Sequence, residues 1–191
     1  MKVKQLTLEQ MRWIYDDFFP EAFPQNEIRP WENLKGHWDN GRYECYGYFD
    51  DEDALCSYAF FFRSQRTLLL DYLASVPQKR SGGLGASFLR ELCKNVVQDM
   101  MLAEVEAPIS GDPETDDLRC RRIAFYERNG LVQENIMSCV CGVTYRLMST
   151  GFSGTDDELH AQIEEMYLDL LGQDFFQEHV IVWQEPVKSH A

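Results

Sequence analysis

Val76-Pro77-Gln78-Lys79-Arg80-Ser81-Gly82-Gly83-Leu84-Gly85-Ala86 is the stretch on which the fold turns. It joins an apolar, strand-like run, Leu68 to Val76, to a helix-like run, Ala86 to Met101. Arg80-x-x-Gly83-x-Gly85 at a strand-to-helix junction suits a phosphate. Glycines remove the Cβ atoms that keep an anion off the backbone, and the helix start adds unpaired N–H groups and the positive end of its dipole. Two other phosphate loops do not fit. A P-loop has Lys and then Ser or Thr directly after its last glycine, whereas Ala86-Ser87 follow Gly85. A dinucleotide fingerprint has a third glycine three residues after Gly85, where this chain has Phe88. A plain strand-to-helix turn also explains a glycine cluster, so the loop needs support from elsewhere.

That support lies downstream. Arg119-Cys120-Arg121-Arg122-Ile123-Ala124-Phe125-Tyr126-Glu127-Arg128-Asn129-Gly130-Leu131-Val132 reads as a helix ending at a glycine. Leu118, Arg122, Phe125 and Tyr126 share one side by three- and four-residue spacing. Gly130 suits a left-handed cap, and Arg128 favours the negative end of the dipole. A strand-like segment, Leu131 to Cys141, follows.

In this order and spacing the two segments resemble the GNAT superfamily of N-acetyltransferases. Arg80, Gly83 and Gly85 match that family's Gln/Arg-x-x-Gly-x-Gly/Ala acyl-CoA loop, and Phe125, Tyr126, Gly130 and Leu131 match its aromatic-Tyr-x-x-x-Gly helix end. The resemblance covers Met1 to about Thr150. Glu104-Val105-Glu106, followed by an acidic loop, looks like one bacterial group within the superfamily. Many members carry Asn where this chain has Arg119, so that cofactor contact is not carried over.

Composition agrees with a globular enzyme. The chain has 191 residues, 45% hydrophobic and 26% charged, enough for one domain with a small appendage and a substantial core. No apolar run is long enough to span a bilayer, and the first residues lack a charged-then-apolar leader. The 6 cysteines are scattered without metal-ligand pairs, as expected of reduced, packed thiols in a cytoplasmic protein without a metal. A net charge of -14 argues against nucleic acid or an anionic membrane as partner and suits a cationic amine. Lys79 and Arg80 stand out beside the glycines of so acidic a chain.

The remaining pattern predicts a mixed α/β sheet with helices on both faces. Val3–Thr7 reads as a strand, Leu8–Phe19 as a helix, and Phe23–Asp39, interrupted by Pro24 and Pro30, as a broken helix or substrate-side loop. Arg42–Phe49 and Ala54–Arg63 form a hairpin, with Asp50-Asp51-Glu52-Asp53 a solvated turn. Leu89, Leu92, Val96, Val97 and Met100 form a helix face, Ala103–Ala107 a strand, and Pro113–Asp117 begins the next helix region. Leu131–Cys141 and Val143–Met148 are two further strands. The resemblance implies residues 1–150 as the N-acetyltransferase domain, with seven strands splayed apart in the middle. Residues 151–191 form a C-terminal extension. In it Thr155-x-x-Glu158 is a capping box, and Leu159, Ile163, Met166, Tyr167 and Leu170 form a stripe ended by Gly172. That helix packs on its own domain, or alternatively serves as a homodimer contact or substrate lid. Phe175–Trp183 reads as one more strand.

The resemblance implies the chemistry. Ala74, Ser75 and Val76 would pair by their backbone with the pantetheine arm of acetyl-CoA and polarise the thioester carbonyl. N–H groups of Arg80, Ser81, Gly82, Gly83, Leu84, Gly85 and Ala86 would hold the pyrophosphate. Tyr126 would be general acid toward the CoA sulfur, against the alternative of a core phenol. Asp71 and Glu106 lie on the two strands flanking the expected active-site split, with Glu104 on the strand face of Glu106. The family's usual base position falls nearer Leu70 than Asp71, so Glu106 is preferred as base for the amine, directly or through water, and some members need none. The alternative function is an idle acyl-CoA-binding or regulatory module.

Overall fold

The computed structural model describes residues 1–79, 82–98 and 100–185. The chain divides into two compact units: Met1–Arg63 with Leu70–Val96, and Ser64–Leu69 with Val97–Ala191.

In the first unit β1 (Lys2–Gln5) is followed by α1 (Leu8–Asp17), α2 (Phe19–Ala22) and α3 (Trp31–Asp39). Then come β2 (Tyr43–Phe49), β3 (Leu55–Arg63), β4 (Leu68–Ser75, which enters this unit at Leu70) and α4 (Leu84–Asn95). The strand order is β1-β2-β3-β4. Both β1 against β2 and β2 against β3 are antiparallel, with Val3 opposite Tyr48 and Cys45 opposite Phe60. The acidic hairpin turn is built by its own first residue. Asp50 Oδ1 accepts from the N–H groups of Glu52 (3.1 Å) and Ala54 (2.9 Å), an Asx-type closure. β3 is buried along nearly its whole length. It belongs to an aromatic core in which the fully buried Phe19 lies 4.9 Å from Phe60 and 4.6 Å from Tyr72, centroid to centroid.

In the second unit the elements are β5 (Met101–Glu106), α5 (Pro113–Arg128), β6 (Val132–Val140) and β7 (Val143–Ser149), then α6 (Asp156–Leu171), α7 (Gln173–His179) and β8 (Val180–Gln184). Strand order is β5-β7-β6-β8, each pair antiparallel. α5 starts on Asp112, whose carboxylate accepts the Thr115 N–H at 2.9 Å, with Pro113 in the first turn. α6 starts with the expected capping box, Thr155 and Glu158 each accepting from the other's backbone. All five stripe residues of α6, Leu159 to Leu170, are buried.

Three local expectations are corrected. α4 ends at Asn95, not near Met101. Val96 and Val97 are β-branched and weak helix formers, and the apolar residues beyond them lead into β5, where Met101 is fully buried. In α5 it is Ile123 that is buried, while Leu118 is 44% exposed, so the apolar side is narrower than the spacing predicted. The expected strand from Phe175 begins only at Val180. Gly172 closes α6 and opens α7, with the Phe176 N–H bonding its carbonyl at 3.0 Å. β8 adds a strand to the seven that the resemblance implies.

Candidate functional site

β4 leads into the glycine loop through a single tight connection. The Val76 N–H donates to the Cys56 carbonyl of β3 at 3.0 Å, and Pro77–Lys79 form one 3₁₀ turn closed by the Lys79 N–H on the Val76 carbonyl. The N–H of Val76 is thus spent on the sheet. Ala74 and Ser75 are half-buried, and the Ser75 hydroxyl lies 2.8 Å from that of Ser57. Arg80 and Ser81 lie outside the described residues.

Gly83 stands at φ +70° as the N-cap of α4, with no side chain capping the helix. The Ser87 N–H is the first to find its helical acceptor, the Gly83 carbonyl at 3.1 Å. N–H groups of Leu84, Gly85 and Ala86 precede it in the first turn, where helix geometry provides no acceptor. A tight turn explains only Gly83, by its left-handed φ. A Cβ at Gly82 would meet nothing nearer than 3.7 Å, and one at Gly85 nothing nearer than the Ser75 hydroxyl at 3.5 Å. Neither of these two glycines is demanded by the chain's own packing. Their absent side chains leave the first-turn N–H groups open from outside.

Lys79 does not add free positive charge to this loop. Its Nζ pairs with Asp50 Oδ2 at 3.1 Å. The shared bond raises the ammonium's pKa, while the Ala54 and Lys79 hydrogen bonds hold the Asp50 carboxyl below its usual range.

Tyr126 occupies the last turn of α5. Its carbonyl accepts the N–H groups of Asn129 (3.0 Å) and Leu131 (3.1 Å), and Gly130 takes φ +97° as the left-handed cap requires. The phenol packs edge-on to Phe125 at 5.2 Å, and its hydroxyl has no hydrogen-bond partner among the described residues. Burial pushes its pKa up to about 12, with Arg122 pulling the other way.

Glu106, the preferred base of the sequence analysis, ends β5 and faces α5. Oε1 accepts from Arg119 Nη2 and Oε2 from Arg122 Nη1 at 3.0 Å. Arg119 also donates to the Ala107 carbonyl at 3.1 Å. Both oxygens of Glu106 are thus engaged by guanidinium groups, and the carboxylate anchors α5 to β5. Asp71, the other strand carboxylate, is held by Arg29 (3.2–3.3 Å) and by the Tyr43 hydroxyl. Residues 27–29 are tied down further: the Tyr72 hydroxyl accepts the Arg29 N–H at 2.9 Å and donates to the Glu27 carbonyl at 2.8 Å, and the Tyr15 hydroxyl donates to the Arg29 carbonyl. This cluster went unread in the sequence. Its one signal was an acid inside an apolar strand, which cannot be buried without a cation.

Glu104 keeps a different company. It accepts a hydrogen bond from the hydroxyl of Tyr167 on α6, which lies 2.7 Å from the Ser138 hydroxyl of β6. Tyr167 is buried, and burial together with Glu104 drives its pKa far above the ordinary phenol value.

No family model matches the chain, and no curated protein matches it. Solved structures do. A Bacteroides thetaiotaomicron protein described as a GNAT-family acetyltransferase superposes with TM-score 0.72 at 21% identity, over 91% of this chain and 99% of its own. A spermidine N-acetyltransferase from Vibrio cholerae in complex with CoA and spermine gives TM-score 0.55 at 11% identity, over 78% of this chain and 93% of its own. A chimera of that enzyme matches at TM-score 0.56 and 12% identity, over 78% and 95%. The chain therefore has the α/β fold of these acetyltransferases, as its two motifs led us to expect.

Proposed function

We propose that the protein is an acetyl-CoA-dependent N-acetyltransferase acting on a primary amine. The observation that carries this reading is the glycine loop before α4: two glycines that the chain's own packing does not need, in front of uncapped helix N–H groups. A pyrophosphate fits that need, since anions are favoured at a helix N-terminus. The arrangement occurs in a fold shared with acetyltransferases, one of which is described in complex with CoA.

On this reading Ser81 to Ala86, with Arg80, cradle the pyrophosphate. Successive N–H groups of a strand point to alternate edges, so with Val76 committed to β3 the thioester carbonyl is polarised by the N–H of Ser75, beside Ala74. Direct transfer needs proximity, a neutral amine and stabilisation of developing charge. The amine nitrogen attacks the acetyl carbon, the C–N bond forms, the C–S bond breaks, the sulfur leaves with the electron pair, and the proton that the nitrogen sheds passes to water. Tyr126 is the donor to that sulfur. With a phenol pKa of about 12 against about 8.5 for an ordinary thiol, it gives a hydrogen bond to the developing thiolate and keeps its own proton.

The net charge of -14 raises the local concentration of a cationic acceptor, and the spermine of the Vibrio cholerae complex is such an amine. No helix among the described residues is long and apolar enough to cross a membrane, and we place the protein in the cytoplasm. Residues 151–191 are read as an appendage of the 1–150 core.

Isothermal titration with acetyl-CoA tests the reading, beside Gly83→Glu, which sets a carboxylate against the same N–H groups. We expect binding by wild type and its loss in the folded variant. Folded wild type that takes up no acetyl-CoA refutes the proposal. The idle-module alternative predicts binding without turnover of any amine and no consequence of Tyr126→Phe.

A further inference from the structure

The glycine loop before α4 offers backbone groups, and a pair of hydroxyl side chains stands directly beside it. Ser57 of β3 and Ser75, the last residue of β4, hold their oxygens 2.8 Å apart. Ser57 is completely buried, whereas Ser75 is half-buried. Neither hydroxyl has another hydrogen-bond partner among the described residues.

Counting protons fixes the direction of that bond. A hydroxyl carries one proton and accepts on two lone pairs, so two hydroxyls joined by one hydrogen bond have one proton left over. Were Ser75 the donor, the leftover proton would belong to Ser57, sealed in the sheet with no acceptor, and a buried unsatisfied donor is costly. Donation from Ser57 to Ser75 avoids that cost. The spare proton then belongs to Ser75, the member of the pair that a ligand can reach.

Its position decides what it meets. A Cβ built on Gly85 would have the Ser75 hydroxyl oxygen as its nearest neighbour, at 3.5 Å. The oxygen therefore lies against the first turn of α4, where Gly85 carries no side chain. N–H groups of Leu84, Gly85 and Ala86 belong to the same turn and have no helical acceptor. All of these residues lie within the first unit. An O–H and several N–H groups gathered at one place, all donors, suit a ligand group made entirely of acceptors. A diphosphate is such a group. The amides of a pantetheine arm bring donors of their own, which this cluster does not need.

We propose that the Ser75 hydroxyl donates a hydrogen bond to the diphosphate of the bound acyl-CoA, and that Ser57 is a positioning residue which turns the Ser75 proton toward it. A strand's N–H lies in the plane of the sheet and its side chain stands off the face. Ser75 can thus serve the thioester end of the ligand with its backbone and the phosphate end with its side chain.

The inference rests on the acetyltransferase reading, and its test keeps the two apart. Acetyl-CoA binding is measured by calorimetry for wild type, Ser57→Ala, Ser75→Ala and the double variant, with ³¹P NMR of the bound ligand and a thermal melt of each free protein. Ser75→Ala should weaken binding about 10- to 100-fold, the range for a hydrogen bond to a charged group. The diphosphate resonances of the bound ligand should shift, while that of the 3′-phosphate stays in place. Ser75→Ala strands the buried Ser57 hydroxyl, so the double variant, which buries neither, keeps the test open should the single one fold poorly; it should bind as weakly. Ser57→Ala should lose a smaller part of the affinity, because Ser75 keeps its proton but not the bond that aims it. A pair that only ties β3 to β4 would lower the melting midpoint and leave affinity and spectra as in wild type, and that result overturns the proposal. Weakened binding with unmoved diphosphate resonances overturns the assignment to the diphosphate. Ser57→Ala binding as wild type does overturns the positioning role. Folded wild type that binds no acetyl-CoA overturns the parent reading, and this one with it.

Discussion

Replacing Arg29 by Met should be among the most damaging single changes to the first unit. The Asp71 side chain is only 5% exposed and that of Arg29 23%, so this is a nearly dry ion pair. Arg29 Nε and Nη2 reach Asp71 Oδ1 at 3.3 and 3.2 Å, and the Tyr43 hydroxyl donates to Oδ2. Met keeps the length and the apolar stem, and the backbone bonds at position 29 to Tyr72 and Tyr15 survive. What remains is a buried carboxylate with one phenolic donor. Removing one partner of a buried pair costs about 3–5 kcal/mol, and the residual exposure of Arg29 puts this case at the lower end, about 3. For a chain of this size that lowers the thermal midpoint by roughly 6–12 °C. The double variant Arg29→Met/Asp71→Leu buries neither charge and should return to within about 1 kcal/mol of wild type. Urea unfolding followed by tryptophan fluorescence, with calorimetry in parallel, measures Arg29→Met, Asp71→Leu and the double variant, and with them the coupling between the two sites. Two results would refute the reasoning. One is a single variant within about 0.5 kcal/mol of wild type, the range of ordinary surface changes. The other is a double variant as unstable as the two singles added together.

Three further outcomes follow from local geometry. Gly47→Ala places a Cβ 2.6 Å from a Phe49 ring carbon and 3.0 Å from Leu55 Cδ1; it should destabilise by about 1–3 kcal/mol through overpacking, read as a lower urea midpoint at unchanged slope. Thr155→Ala removes the cap of α6 and should cost about 1 kcal/mol, measured by the same unfolding curve. Acid sensitivity should come from Asp50, Asp112, Asp116 and Glu158, whose carboxyls are held below their ordinary values chiefly by hydrogen bonds from backbone N–H groups and side-chain donors. A depressed folded pKa contributes stability that is present above the unfolded value, about 4, and is lost as pH falls through the folded one. The urea midpoint should therefore decline as pH is lowered below about 4, and Glu158→Gln should flatten that decline.

Much of this molecule was legible from short-range chemistry. The Thr155 capping box, the stripe from Leu159 to Leu170, the Asp50 turn and the Gly130 cap each depend on residues within a few positions of one another. Their patterns repeat at the period of the element they belong to. The glycine loop was legible for the same reason, because a strand end, a run of glycines and a helix start are contiguous. Where apolar spacing fitted two elements at once, as at Val96 to Met101 or Phe175 to Trp183, the sequence could not place the boundary. Packing placed it: Met101 is buried as a strand residue, and Gly172 starts a helix before β8 begins.

The candidate site divides along the same line. Sequence alone marked Gly82, Gly83, Gly85 and Tyr126, because each belongs to a motif contiguous along the chain, a strand-to-helix loop and the end of a single helix. It also marked Asp71 and Glu106, and preferred Glu106, without knowing what either carboxylate touches. The proton affinity of a carboxylate depends on what stands within a few ångströms, and those neighbours come from positions far along the chain. Tertiary structure gave Asp71 to Arg29, Glu106 to Arg119 and Arg122, and Glu104 to Tyr167, 63 residues away. Three similar acids thereby acquired different partners, which a linear pattern does not carry.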